Sequence, residues 1–167
     1  MQRRRLLLTL AATPGASLAA IAAPDPSTGL RRWGSGDFRR FGFLIYRATL
    51  WAGDDPTAPP LALRLDYQRN LDGRAIAEAS VKEMRRFGLP EATLTRWGER
   101  MAALFPDVRV GDYITGLYRP EGAAFLFNGR LIGEIADAEF GRCFFGIWLD
   151  ARTSAPELRA ALLKGGA

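Results

Sequence analysis

The stretch from Gly36 to Trp51 reads GDFRRFGFLIYRATLW and carries the strongest fold signal in the chain. From Phe38 to Trp51 it is rich in aromatic and β-branched residues, which favour strands. Side chains alternate between two faces along a strand, and both faces are largely apolar here: Phe43, Ile45, Arg47, Thr49 and Trp51 share one, and Leu44, Tyr46, Ala48 and Leu50 share the other. The stretch predicts one long central strand that is covered on both sides.

Arg47 interrupts this apolar run in the middle of the predicted strand. A buried guanidinium needs a carboxylate partner, either from a ligand or from Asp66 or Glu134 on a neighbouring strand. The remaining alternative is a strand edge where the side chain reaches water. Arg47 is therefore a candidate for binding an anionic head group, and the further candidates are Arg31, Arg32 and Arg64.

Alternation and turn residues predict the other strands. The dipeptide Asn128-Gly129 is a strong signal for a type I′ hairpin turn, and Gly34-Ser35-Gly36 permits a sharp turn or bulge. The expected strands besides Phe38–Trp51 are Leu30–Trp33, Leu61–Gln68, Asp112–Arg119, Ala123–Phe127 and Leu131–Ile135.

Capping residues predict four helices. Asp72 is the expected N-cap of a helix that runs to about Phe87, with Gly88 as its stop. Further helices are expected over Pro90–Phe105, over Ala138–Leu149 behind Asp137, and after Pro156 with Ser154 as N-cap. The order of elements predicts an α+β domain with one antiparallel sheet and helices on one face.

The N-terminus has the layout of a secretory signal peptide. Three arginines at positions 3–5 precede an apolar run that ends in the small-residue site Ala20-Ile21-Ala22. The predicted organisation is a signal peptide over residues 1–22, a linker over 23–29 and one domain over 30–167. A membrane anchor is the alternative, but the run is short and Thr13-Pro14-Gly15 breaks it. The expected location is the periplasm, with membrane contact only transiently through the signal peptide; the export route stays open.

The charge balance excludes a nucleic-acid partner. The full chain carries 23 basic and 18 acidic side chains, and loss of residues 1–22 removes three of the arginines. The remaining net charge is +2, too little for a concentrated phosphate-binding face. The pairs Arg39-Arg40 and Arg85-Arg86 are interpreted as solvated surface.

The chain contains little catalytic chemistry. It has no histidine and one cysteine, Cys143, in an apolar setting that predicts a buried thiol. Ser80 and Thr115 lack a neighbouring general base. We predict no catalytic residue, no metal site and no cofactor.

Four segments in this order resemble the chalcone isomerase-like superfamily, in particular its bacterial exported branch. They are GFLIYRATLW, LDYQRNLDGRAIAEASVKEM, LFNGRLIGEI and FFGIWLDARTSAPELRAALL. The resemblance covers roughly Leu30 to Leu163. It implies an open-faced β-sandwich, a large antiparallel sheet with a layer of helices, whose ligand cleft lies between sheet and helices. One branch of the superfamily cyclises chalcones, and another binds fatty acids without catalysis.

The resemblance also argues against chalcone cyclisation in this chain. The enzyme branch has a Leu-Thr-Gly motif followed by a tyrosine, a lysine and an asparagine along the helix. When Leu71-Asp72-Gly73 is placed on that motif, these positions carry Ile76, Ala79 and Glu83. The strand threonine of the enzymes falls near Gly42, and their guiding arginine falls at Arg31 or Arg32.

Together these observations predict a non-catalytic domain that binds an apolar or fatty-acid-like small molecule. The expected ligand-binding residues are Arg31, Arg32, Arg47, Tyr46, Ile76 and Thr115. One alternative is an isomerase or lyase with a rebuilt site, in which polar groups such as Tyr46, Thr115 or Tyr118 converge beside an arginine. A structural or partner-binding envelope protein with a filled core is the other.

Overall fold

The computed structural model describes Asp25 and residues 27–165 of the 167-residue chain. The predicted signal peptide over residues 1–22 lies outside the described residues, and the predicted linker over 23–29 lies only partly within them. The strands of the described part are β1 (Arg31–Arg40), β2 (Phe43–Ala52), β3 (Leu61–Tyr67), β4 (Tyr113–Arg119), β5 (Gly122–Phe127) and β6 (Arg130–Ile135). Its α-helices are α1 (Gly73–Met84), α2 (Glu91–Leu104), α3 (Ala138–Leu149) and α4 (Pro156–Leu162).

All these strands form one antiparallel sheet in the order β1-β2-β3-β4-β5-β6. Each strand pairs with its neighbour in sequence, and α1 and α2 form the connection between β3 and β4. The helices pack on one face of the sheet: α3 contacts β4 and β5, α4 contacts β1, and α1 packs between α2 and α3. The predicted α+β fold, an antiparallel sheet with a helical layer on one face, is confirmed.

The predicted long strand Phe38–Trp51 is wrong, because a hairpin turn divides it. Phe41 and Gly42 have φ angles of 51° and 80°, the left-handed pair of a type I′ turn. Arg40 and Phe43 are register partners on either side of this turn. The short strand predicted at Leu30–Trp33 is not separate, because its residues from Arg31 onward belong to β1. The predicted turn or bulge at Gly34-Ser35-Gly36 is a shift of register between Arg32 and Gly34, not a turn.

Strand β2 is open to solvent at Arg47, in the middle of one of its two faces, which corrects the second part of that prediction. The Arg47 side chain points away from the helices and is 61% exposed, and its Nε donates to Asp37 Oδ1 at 2.8 Å. Asp66 lies opposite Arg47 on β3 but accepts from Arg64 instead. The carboxylate partner of Arg47 is therefore an acidic residue of β1, at a solvent-exposed position.

The core lies between the helix-facing side of the sheet and α3. This helix buries Phe140, Phe144, Phe145 and Trp148 against the sheet. Its N-cap is Asp137, as predicted: Oδ1 accepts from the backbone N–H groups of Glu139 and Phe140, and Oδ2 accepts from Trp97 Nε1 at 3.0 Å. The Cys143 thiol is fully buried in α3, and burial raises its pKa, as expected for an inert thiol.

Two of the expected caps differ from the structure. Asp72 stands at the N-cap of α1, but its side chain makes no capping hydrogen bond. The Gly73 N–H donates instead to Asp107 Oδ1 at 2.8 Å, across the connection that leads to β4. Ser154 does not cap α4, because Ala155 occupies that position and the Ser154 hydroxyl donates to Glu83. Within the described residues, no helix combines the length and apolarity that crossing a membrane requires.

Candidate ligand-binding site

A cavity of about 280 Å³ lies between the sheet and the helices. Tyr46, Leu65 and Ile114 contribute its wall on the side of the sheet, from β2, β3 and β4. The helical side is formed by α1 and α3, with Ile76, Phe144, Ile147 and Trp148 in the lining. Its volume is close to the lower end of the roughly 300–1,000 Å³ typical of small-molecule pockets. The cavity occupies the position that the sequence predicts for a ligand cleft.

Exposed residues mark the mouth of this cavity. Arg40 at the end of β1, Ala75 and Ala79 on α1, and Ser154 before α4 line the cavity and are also exposed to solvent. Alanines on the adjoining turns of α1 leave this side of the mouth open, because their side chains end at Cβ. The rest of the lining is mostly buried and apolar, so an apolar group entering here would leave water.

Tyr46 places a hydroxyl group in the cavity wall. Its oxygen accepts a hydrogen bond from Trp148 Nε1 at 2.9 Å, and its ring stacks on Phe38 at a centroid distance of 4.9 Å. Burial raises the pKa of Tyr46 above its ordinary value, so the phenol stays protonated at neutral pH. No described residue accepts the Tyr46 hydroxyl proton, and this proton is available to a ligand.

Most other polar side chains around the cavity are already engaged. The Glu83 carboxylate accepts from the Arg86 guanidinium and from the Ser154 hydroxyl. Ser80 Oγ donates to the backbone oxygen of Ile76 at 2.9 Å. Arg40 differs, because its guanidinium has no ion-pair partner among the described residues and lies over the Phe41 ring at 5.3 Å. Among the described residues of the lining, Arg40, Tyr46 and Tyr67 are thus the groups with hydrogen-bond donors to spare, since the Tyr67 hydroxyl also donates to no described residue.

The structure brings two of the predicted ligand-binding residues, Tyr46 and Ile76, to the cavity. Thr115 lies on the opposite face of the sheet, because its register partners are Arg64 and Leu126, whereas its neighbour Ile114 faces the cavity. Arg47 also points away from the helices, as described above.

Arg31 and Arg32 lie at the far end of β1 from Arg40, a distance of about 30 Å along an extended strand. They pair with Ala52 and Trp51 in the register. The Arg32 guanidinium donates to Ser35 Oγ at 2.7 Å. The Arg31 guanidinium stacks on the indole ring of Trp33. These two arginines therefore do not reach the cavity. Arg40 does line it, although the sequence pattern indicates only solvated surface at this position.

Comparison with known proteins gives the family. The model of the family described as chalcone isomerase-like matches residues 43–164. This chain belongs to the chalcone isomerase-like family.

Two individual proteins extend this comparison. A curated but uncharacterised protein of Haemophilus influenzae is 29% identical over 104 residues, which are 62% of this chain and 52% of the relative. The chain thus matches about half the length of that relative. The crystal structure of a fatty-acid binding protein from Arabidopsis thaliana superposes with a TM-score of 0.63 at 14% sequence identity, covering 92% of this chain and 95% of the plant protein. At this identity the structural likeness shows a shared fold.

Family membership gives a meaning to three residues of α1. The resemblance places Ile76, Ala79 and Glu83 where the chalcone-cyclising branch has tyrosine, lysine and asparagine, and all three line the cavity. Ile76 and Ala79 cannot donate a hydrogen bond or transfer a proton, and the Glu83 carboxylate is held by Arg86 and Ser154. Gly42 lies at the tip of the β1–β2 hairpin, outside the cavity lining.

A second cavity of the same volume lies between α1 and α2. Its lining is different in kind, because it includes the charged side chains Arg74, Glu78, Arg85 and Glu99. It lacks contact with the sheet, so it is a groove between two helices. The apolar cavity is therefore the candidate ligand site.

Proposed function

We propose that this chalcone isomerase-like domain is an exported, periplasmic protein that binds a fatty-acid-like carboxylate without chemical turnover. One observation carries the proposal: a mostly apolar cavity opens beside an arginine that has no ion-pair partner among the described residues. The name of the Arabidopsis thaliana protein that shares the fold, a fatty-acid binding protein, supports the same class of ligand.

The arrangement of polar groups favours a ligand with an acidic head and an apolar tail. An arginine guanidinium presents a fork of N–H donors that matches a carboxylate. At the cavity mouth, Arg40 would bind the head group where it stays near water, so the cost of burying a charge is small. The tail would replace water along Ile76, Phe144 and Trp148, and the Tyr46 hydroxyl would supply a further donor.

The protonation states in the cavity support binding rather than proton transfer. A general base works best with a pKa near the operating pH. Burial raises the pKa of both Tyr46 and Tyr67, which moves these phenols further from that range. The polar groups named for the alternative isomerase do not converge: Tyr46 lines the cavity, but Thr115 and Tyr118 are outside its lining.

Replacing Arg40 by glutamine tests the role of the head group. We expect Arg40→Gln to weaken palmitate binding roughly tenfold, because one charge-assisted hydrogen bond at a partly exposed site is lost. Binding of methyl palmitate, which lacks the carboxylate charge, should change little. Isothermal titration of the delipidated protein with both compounds measures the difference.

Arg39→Gln is the matched control, since Arg39 is the adjacent exposed arginine of β1 and lies outside the cavity lining. It should leave the palmitate affinity unchanged. A carboxylate ligand would be contradicted if the unmodified protein bound palmitate and methyl palmitate equally well and Arg40→Gln changed neither affinity.

The export part of the proposal rests on the N-terminal sequence alone. The arginine cluster, the apolar run and the Ala20-Ile21-Ala22 site motivate it. Expressed in a Gram-negative host, the protein should appear in the periplasmic fraction with Ala23 as its first residue, as read by N-terminal sequencing. A cytoplasmic product that retains residues 1–22 would refute export.

A further inference from the structure

The exposed apolar side chains of the described residues concentrate at one end of the sheet. Phe41 is 87% exposed at the β1–β2 turn, and Phe43 beside it is 56% exposed. Val110, 64% exposed, belongs to the loop before β4, and its N–H donates to the Asn70 side chain just after β3. Large exposed apolar groups that cluster in this way mark interaction surfaces.

Phe41 is an unusual residue for the backbone position it holds. A type I′ turn requires positive φ at both central residues, which favours Asn and Gly and disfavours bulky side chains. The β5–β6 turn has nearly the same geometry, with φ angles of 48° and 81°, and carries the favoured pair Asn128-Gly129. The β1–β2 turn instead places an aromatic ring at the tip, where it contributes nothing to the core.

Arginines surround this aromatic tip. The Arg40 guanidinium lies 5.3 Å from the centre of the Phe41 ring, and the Arg69 guanidinium lies 4.6 Å from the Phe43 ring. Arg39 is also exposed, and no acidic residue occurs between Phe38 and Tyr46. The nearest carboxylate on the hairpin, Asp37, already accepts from Arg47 and Arg39. The tip is therefore apolar with a cationic rim.

We propose that the β1–β2 tip docks the protein on an anionic lipid bilayer, with Phe41 and Phe43 at the boundary between head groups and acyl chains. Charge complementarity selects this partner: aromatic rings suit the interfacial region, and each exposed arginine is attracted to acidic head groups. Membrane contact would then extend beyond the transient contact expected of the signal peptide.

Docking by this tip would also bring the cavity to the lipid surface. Phe38, Arg40 and Ile45 belong to the same hairpin and line the cavity. A ligand could then pass between bilayer and cavity beside Arg40 with little exposure to water. This transfer role rests on the proposed function, whereas docking itself rests only on the composition of the tip.

Vesicle binding by matched variants tests the docking surface. The protein is purified in the form that the expression host accumulates, and it is sedimented with phosphatidylcholine vesicles that contain or lack phosphatidylglycerol. We expect binding to the anionic vesicles to fall roughly tenfold in Phe41→Asn, which removes one large apolar contact. The double variant Arg39→Gln/Arg69→Gln should lose binding by a factor of about five per arginine.

Two controls separate docking from folding. Phe41→Asn restores the residue type that the turn prefers, so its melting temperature should equal or exceed that of the unmodified protein. Leu131→Asn removes an exposed apolar side chain at the same end of the sheet but on β6, at the edge opposite β1, and should leave vesicle binding unchanged because it lies outside the β1–β2 tip. Equal binding to neutral and anionic vesicles, or equal losses in Phe41→Asn and Leu131→Asn, would overturn the proposal.

Titration of Phe41→Asn with palmitate distinguishes docking from the proposed function. Phe41 is outside the cavity lining, so the variant should bind soluble palmitate normally while binding vesicles poorly. If the protein bound vesicles through the β1–β2 tip but had no affinity for palmitate, only the ligand proposal would be refuted. Palmitate binding without any vesicle binding would refute docking alone.

Discussion

Gly34→Ala is expected to lower the free energy of unfolding by about 3 kcal/mol or more. Gly34 faces α4, and a Cβ atom at this position would lie 2.2 Å from the backbone oxygen of Ala161 and 2.7 Å from that of Leu162. These atoms belong to the backbone of α4 and not to a flexible side chain that could move aside, so the helix itself must shift. Such a shift would expose Leu158 and Leu162, which are now buried and are worth about 1.5–3 kcal/mol each.

Gly53→Ala is the matched control for this prediction. A Cβ atom at Gly53 would meet no atom within 4 Å, and its φ lies outside the left-handed region. Chemical denaturation of the two variants measures the difference. If Gly34 served only chain flexibility, both substitutions would have small effects of about 1 kcal/mol or less. Equal midpoints would therefore contradict close packing of α4 on β1.

Ala79→Trp is expected to weaken palmitate binding at least tenfold. Ala79 lines the cavity from α1 and is exposed at its mouth. An indole at this position would cover the opening or enter the cavity, and it would compete with the ligand for the same apolar lining. Because the position is exposed, the fold should tolerate the larger side chain. Isothermal titration with palmitate gives the affinity, and thermal unfolding gives the stability.

Ala103→Trp provides the corresponding control on another helix. Ala103 is exposed on α2 and lines neither cavity. Both substitutions carry the same cost in helix propensity, about 0.5 kcal/mol. A loss of palmitate binding that is equal in the two variants would show that the ligand does not enter between α1 and the sheet.

The sequence predicted most elements of the fold because local signals mark them. Asn128-Gly129 identified the β5–β6 hairpin, and Gly88, with φ 72°, ends the helical segment where expected. The β1–β2 hairpin was missed because Phe41 is not a residue that signals a type I′ turn. Without that turn, the apolar pattern of Phe38–Trp51 was interpreted as one strand that is buried on both faces.

The site was less accessible from sequence for the same reason. The family resemblance could place Ile76 in the cleft, and Tyr46 could be named as a polar group of the predicted strand; both line the cavity. The sequence could not place Arg40 at the cavity, because the end of β1 reaches the cavity mouth only as a result of the turn at Phe41-Gly42. The sequence does not reveal the carboxylate partner of Arg47, because Asp37 lies on β1 and meets Arg47 only when the Phe41-Gly42 turn separates β1 from β2.

Mass spectrometry of lipid extracts tests the central claim most directly. Purified protein and its Ala79→Trp variant are denatured in organic solvent, and the released small molecules are identified and quantified. We predict that the unmodified protein releases a fatty acid or similar amphiphile in near-stoichiometric amount, and that the variant releases much less. The claim that the cavity between the sheet and α1 is a binding site would be contradicted if the unmodified protein released no such molecule and took up no palmitate when it was supplied.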